Sequence, residues 1–170
     1  MSSHTAQQDR PAFIPPGRWE IDRVHSNIAF SIIDPTHLIT VSGRFDDFEG
    51  MLEADSQATA AGAVQVASIS TGEPQRDQHL QSADFLNAEK YPQMRFSSHE
   101  IEAVAEDRFR IRGALTIQEA DHEITLTGKI LAQAADPEGS QRVALEADGA
   151  LDWSGTAVRL AVTATAKRIG

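Results

Sequence analysis

FRIRGALTIQEADHEITLTGKI, residues 109–130, decides the fold class. Phe109, Ile111, Leu115 and Ile117 recur at every second position, or multiples of it, and Ile124, Leu126 and Ile130 do the same. Successive side chains of an extended strand point to opposite faces, so each run presents one apolar face and one polar face. Glu119-Ala120-Asp121-His122 separates the runs. A connection that short joins antiparallel neighbours, because parallel ones need a crossover of a dozen residues or more.

The same period continues in both directions. Trp19 and Ile21 carry it, then Ile28, Phe30 and Ile32, then Ile39, Val41 and Phe45 with Gly43 on the same face. Val64 and Val66 follow, then Met94 and Phe96, and beyond the opening stretch Val143 and Leu145, then Val158, Leu160 and Val162. Eight or nine half-buried strands result. Their connections carry turn residues, as at Glu106-Asp107 and Asp136-Pro137-Glu138-Gly139. Such a series closes as a sandwich or as a barrel, and hairpin connections favour an all-β, up-and-down, eight-stranded antiparallel barrel. Residues 73–90 lack the alternation and predict a short helical segment near 74–90, with Asp77 or Ser82 as a cap. Residues 1–16 are polar, end in Pro15-Pro16 and read as a flexible arm, leaving 17–170 as one domain.

Composition removes several function classes. There is no cysteine, hence no disulfide framework, thiol nucleophile or thiolate metal site. The net charge of −10, with 25 acidic residues against 15 basic, repels phosphate backbones and argues against a nucleic-acid partner. No apolar run approaches ~18 residues, so stable membrane insertion is not expected. MSSHTAQQDRPAFIPPG, the first stretch, has no basic start followed by an apolar segment, and the expected location is cytoplasmic.

An eight-stranded barrel has an interior that side chains just fill or that holds one ligand. Ala29, Gly43, Gly113, Gly128, Ala147 and Ala164 are small residues assigned to the inner face, where they either leave volume or mark bends in the sheet. Ile28, Phe30, Val41, Phe96, Ile111, Leu115 and Ile117 are inward candidates that serve as core or as ligand contacts. Phe85, Leu86, Tyr91 and Met94 sit where the helical segment rejoins a strand and could close one end of a cavity. Arg76 and His79 form a polar rim candidate. Arg76 either meets a ligand's polar head or pairs with a carboxylate.

No catalytic set is expected. Asp22 and His25, three apart, would face opposite sides of a strand, and nothing resembles a G-x-S-x-G elbow. The histidines His4, His25, His37, His79, His99 and His122 form no metal-ligating pair, so neither metal nor cofactor is expected, and they read as scattered surface or turn residues.

Four stretches, in order, resemble the YceI-like family. WEIDRVHSNIAFSI (19–32) is similar to its W-x-I-D-x-x-H-S-x-I-x-F opening, and VSGRFDDFEG (41–50) to its V-x-G-x-F-x-x-F-x-G segment. RDQHLQSADFLNAEKYPQMRFSS (76–98) resembles its R-D-x-H-L-x-S-x-D-F segment through Y-P-x-I-x-F-x-S. GALTIQEADHEITL (113–126) resembles its G-x-L-T-I strand, turn and I/V-T-L strand. The resemblance implies a lipocalin-like barrel with an elongated apolar cavity, often dimeric, so a homodimer is a candidate assembly. It also implies a bound polyisoprenoid, quinone-like molecule or fatty-acyl lipid. Two regions depart from the pattern: Asp34–His37 looks longer than usual, and 144–168 looks shortened.

Together these readings lead to an expected non-enzymatic carrier, buffer or store for a long apolar ligand. An enzyme acting on a lipophilic substrate in the same cavity, and a packed barrel that works through its outer surface, are the alternatives.

Overall fold

The computed structural model describes residues 14–55 and 57–170. The expected arm falls mostly on residues 1–13, outside the described residues. Eleven strands form one sheet: β1 (Gly17–Ile21), β2 (Asn27–Ile33), β3 (Thr40–Phe45), β4 (Phe48–Ala54), β5 (Thr59–Gln65), β6 (Ile69–Ser70), β7 (Gln93–Ala103), β8 (Arg108–Ile117), β9 (Ala120–Ala135), β10 (Gln141–Trp153) and β11 (Thr156–Arg168).

The eleven strands make eight staves. β1 and β2 both lie along β11, β1 on its last residues (Ile21↔Ala166) and β2 on its first (Ala157↔Ile33). They are therefore one stave, broken at 22–26. β3 and β4 continue each other in the same way, β3 pairing with β2 and β4 with β1. β5 and β6 are joined through a 3-10 turn at Val66–Ser68. Each stave pairs antiparallel with the next, and β11 returns to the first, so the up-and-down barrel is closed.

Two bulges account for departures from strict alternation. His99 is the extra residue where β7 meets β8, between the pairs Ser98↔Gly113 and Glu100↔Arg112. Leu131 is the extra residue where β9 meets β10, and it stays exposed despite its apolar side chain. The outer wall is polar: Glu102–Arg110 and Glu100–Arg112 pair across β7 and β8. Apolar inside and charged outside is the reverse of a membrane-spanning barrel.

Ala29 is not an inward residue. Its neighbours Ile28 and Phe30 face the interior, which turns Ala29 outward. The inner-face glycines do not leave volume, and only Gly113 stands beside a bulge, the one at His99. A Cβ at Gly43 would stand 2.7 Å from the Phe30 ring, one at Gly113 2.7 Å from Phe96, and one at Gly128 2.7 Å from Phe109. Each glycine faces its phenylalanine across a strand pair or along the adjoining one, and the ring fills the missing side chain's place.

One helix, α1 (Pro74–Gln81), follows β6, and turns lead on from it to β7. Its N-cap is Glu73, whose carboxylate accepts from the Gln75 amide. Asp77, one of the two cap candidates, instead accepts from the Thr71 amide at 2.8 Å and hydroxyl at 2.6 Å, tying the helix to the end of β6. Ser82 closes the other end, its amide donating to the His79 carbonyl. Leu80 and Leu86 are buried with Phe45, Val66, Ile69 and Ile117, so α1 and the following turns pack against one end of the barrel.

Candidate ligand cavity

A cavity of about 630 Å³ occupies the barrel, within the range of ordinary ligand sites. Its lining is overwhelmingly aliphatic and aromatic and is drawn from all eight staves. Each of the ligand-contact candidates Ile28, Phe30, Val41, Phe85, Leu86, Met94, Phe96, Ile111, Leu115 and Ile117 stands on that lining. Ala147 and Ala164 line it too, and there the small side chain does leave space. Tyr91 does not reach it.

The two ends differ. At one, Trp19, Val143 and Ala166 are 1%, 0% and 0% exposed and pack with Ile14, Ile21, Leu52 and Ile130, which are the cavity's floor. The Trp19 indole N–H donates to the Pro15 carbonyl at 3.1 Å, so the ring is held in one orientation. At the other, lining residues come from exposed loops: Pro35 in the β2–β3 turn, Arg76 and His79 on α1, and Phe85 beyond it. This end is the mouth. On the side wall Gly50 stands opposite Gly62, and Met51 and Ala61 of the outer face join the lining where the wall is little more than backbone.

At the mouth Arg76 finds no carboxylate among the described residues. Its Nε donates to the Thr71 hydroxyl at 2.8 Å and one Nη to the Thr71 carbonyl at 2.9 Å. This leaves the other Nη for a ligand. His79 meets the edge of the Phe85 ring with centroids 4.8 Å apart.

Asp22, His25 and Ser26 come together in one hydrogen-bonded joint. They occupy the break between β1 and β2, where the chain turns, so strand alternation does not separate them. His25 Nδ1 lies 2.7 Å from the Asp22 carboxylate. The same carboxylate accepts from Arg142 at 3.0 Å, and Arg142 in turn donates to Asp136 at 2.9 Å. The His25 hydrogen bond chiefly, with the Val24 amide and Arg142, holds the Asp22 carboxyl far below the usual carboxylate range. Ser26 accepts from the Thr165 amide at 3.0 Å. His25 is 69% exposed and stands off the cavity lining, whereas Ser26 is on it.

Not all the other histidines are surface residues. His99 Nε2 pairs with Glu123 at 3.0 Å on the outer wall. The Nε2 of His122 is buried without a partner, because His122 sits opposite inward-facing Leu115. Sequence reasoning placed His122 in a turn, whereas β9 begins two residues earlier. Among the described residues no group of His, Asp or Glu is arranged to hold a metal.

Comparison with known proteins agrees with this architecture. The Protein YceI of Escherichia coli O17:K52:H18 is 40% identical over 111 residues, which are 63% of this chain and 58% of that protein. A UPF0312 protein of Pectobacterium carotovorum is 36% identical over 113 residues, 64% of this chain and 58% of that protein. The matched segment thus spans little more than half the length of these relatives. Among solved structures, BcnA of Burkholderia cenocepacia superposes with a TM-score of 0.71 at 18% identity, over 85% of this chain and 98% of that one. A polyisoprenoid binding domain from Saccharophagus degradans superposes with a TM-score of 0.65 at 14% identity, over 89% and 98%. The family model described as YceI-like domain matches residues 19–167, and the chain belongs to that family.

Proposed function

We propose that this protein holds one long apolar molecule in the barrel and acts as its carrier, buffer or store, without catalysing a reaction on it. A polyisoprenoid, a quinone-like molecule or a fatty-acyl lipid fits the site. The observation that carries the reading is the cavity: about 630 Å³, aliphatic and aromatic walls, a packed cluster at one end and exposed loops at the other. A chain burying ~300 Å² there gains about 7 kcal/mol before the costs of association. The structural likeness to a polyisoprenoid binding domain supports the same class. The proposed compartment is the cytoplasm.

Mass spectrometry of an organic extract of the purified protein tests this. A discrete lipid in near-stoichiometric amount is expected, and Ala147→Leu, which places a larger side chain on the lining, lowers that amount while the protein still melts cooperatively. Protein that is empty and takes up neither isoprenoid nor fatty-acyl probes overturns the reading.

A further inference from the structure

The β2–β3 hairpin at the mouth displays apolar residues to solvent that the fold does not require there. Leu38 is 85% exposed and Ile39 62%. Val24 is equally exposed, at 84%, but stands alone in the outer break between β1 and β2, as single surface aliphatics commonly do. Leu38 and Ile39 are adjacent, and they continue the cavity. Ile39 lies two residues before Val41, on the same face of the chain, and the Asp34 amide donates to its carbonyl at 3.1 Å, one step beyond the pair Ile33↔Thr40. Asp34, Pro35 and Val41 line the cavity. The apolar inner surface of this stave thus runs past the rim and ends on an uncovered tip.

The tip is held in that position. The Asp34 carboxylate accepts from the Ile39 amide at 2.8 Å and from the Thr36 hydroxyl, and its carbonyl accepts from the His37 amide at 2.9 Å. His37 takes a φ of 61°, which few residues other than glycine adopt without cost. These bonds keep the hairpin from folding Leu38 and Ile39 back against the wall.

We infer that the Leu38–Ile39 tip inserts into the surface of a lipid bilayer and sets the cavity mouth against it. The lipid surface is one of neutral or zwitterionic headgroups. Glu73, Asp84, Glu89 and Glu119 occur in the loops and turns at this end, with Asp121 and Asp152 at the adjoining strand ends, against Arg76 on α1 and Lys90, and the whole chain carries −10, so nothing draws the mouth to an anionic membrane. Docking would let an insoluble cargo pass between bilayer and barrel without crossing water. The inference rests on the carrier reading for its purpose, but the contact itself is measured without cargo.

The experiment is flotation of the full chain with phosphatidylcholine vesicles, alongside vesicles containing phosphatidylglycerol. The wild type is expected to float with phosphatidylcholine, with no gain from phosphatidylglycerol. Leu38→Ser/Ile39→Ser is expected to lose at least about tenfold in partitioning, with its melting temperature little changed because both side chains are mostly in water. Ile39→Trp should show blue-shifted emission, quenched by brominated lipid, only when vesicles are present. A wild type that stays unbound, or an Ile39→Trp emission indifferent to vesicles, overturns the inference. So does a reversible dimer in sedimentation that the serine variant abolishes, since the tip would then be covered by a second copy. Uptake of an isoprenoid probe from detergent, measured in parallel, separates failure of docking from failure of cargo binding.

Discussion

The floor and the mouth are built from the same eight staves, yet one is solid and the other holds space. At the floor the inward positions carry Trp19 and Val143 against Ala166, and the indole occupies what the alanine leaves. Higher in the barrel Ala147 and Ala164 are buried in a cluster with Phe109, Ile111 and Leu145, yet they also border the cavity. The number of small residues on an inner face therefore does not set the volume of a barrel.

The sharpest way to break that contrast is at the floor. Trp19→Ala removes a fully buried indole, its hydrogen bond to Pro15 and the packing partner of Val143 and Ala166. A loss of about 3–5 kcal/mol is expected in chemical denaturation. The floor is a stability element if the loss is of that size. A loss below about 1 kcal/mol would mean the cavity already extends through it.

The alternation that marks strands was legible from Phe109 to Ile130 and in most of the other runs, because a period of two is local. Up-and-down order followed from the short connections. Three things were not local. The breaks at 22–26, 46–47 and 66–68, which divide three of the eight staves, show only when both segments are seen lying along one neighbour. The bulges at His99 and Leu131 depend on the partner strand's register. The inner-face glycines depend on it most: which phenylalanine covers which glycine is a cross-strand fact. For the site, the inward aliphatics were readable from their face, whereas Ala29 was assigned to the wrong face and His122 to a turn. Arg76's partner proved to be the Thr71 backbone and hydroxyl, which no spacing rule announces.

Gly128 sharpens the comparison between filled and empty positions. An added Cβ would lie 2.1 Å from the Glu146 carbonyl oxygen, 2.9 Å from the Ala147 Cα and 2.7 Å from the Phe109 ring, so both backbone and ring must move. Gly128→Ala should cost about 1–3 kcal/mol in thermal or denaturant melts. At the cavity-lining Ala147, by contrast, a larger aliphatic side chain has somewhere to go. If Gly128→Ala were neutral and Ala147→Leu strongly destabilising, the assignment of filled and empty positions would be reversed.

The smallest effect lies at the joint that lets the first stave bend from floor to mouth. Asp22 is bonded to His25, the Val24 amide and Arg142, and its folded pKa is depressed below the ordinary aspartate value near 3.9. A depressed carboxylate stabilises the fold fully above its unfolded pKa, and that stabilisation is lost as pH falls through the folded one. Between pH 7 and about 5 the Asp22 carboxylate should therefore contribute a constant amount, with its loss confined to more acid solution. Asp22→Asn keeps the shape but removes the charge that Arg142 and His25 address. It should lower the melting temperature by a few degrees at pH 7 and flatten the acid limb of the stability curve relative to wild type. Parallel curves for the two proteins from pH 7 down to pH 2 would show that the joint works through its shape alone, with the Asp136–Arg142 pair holding the β9–β10 turn independently of it.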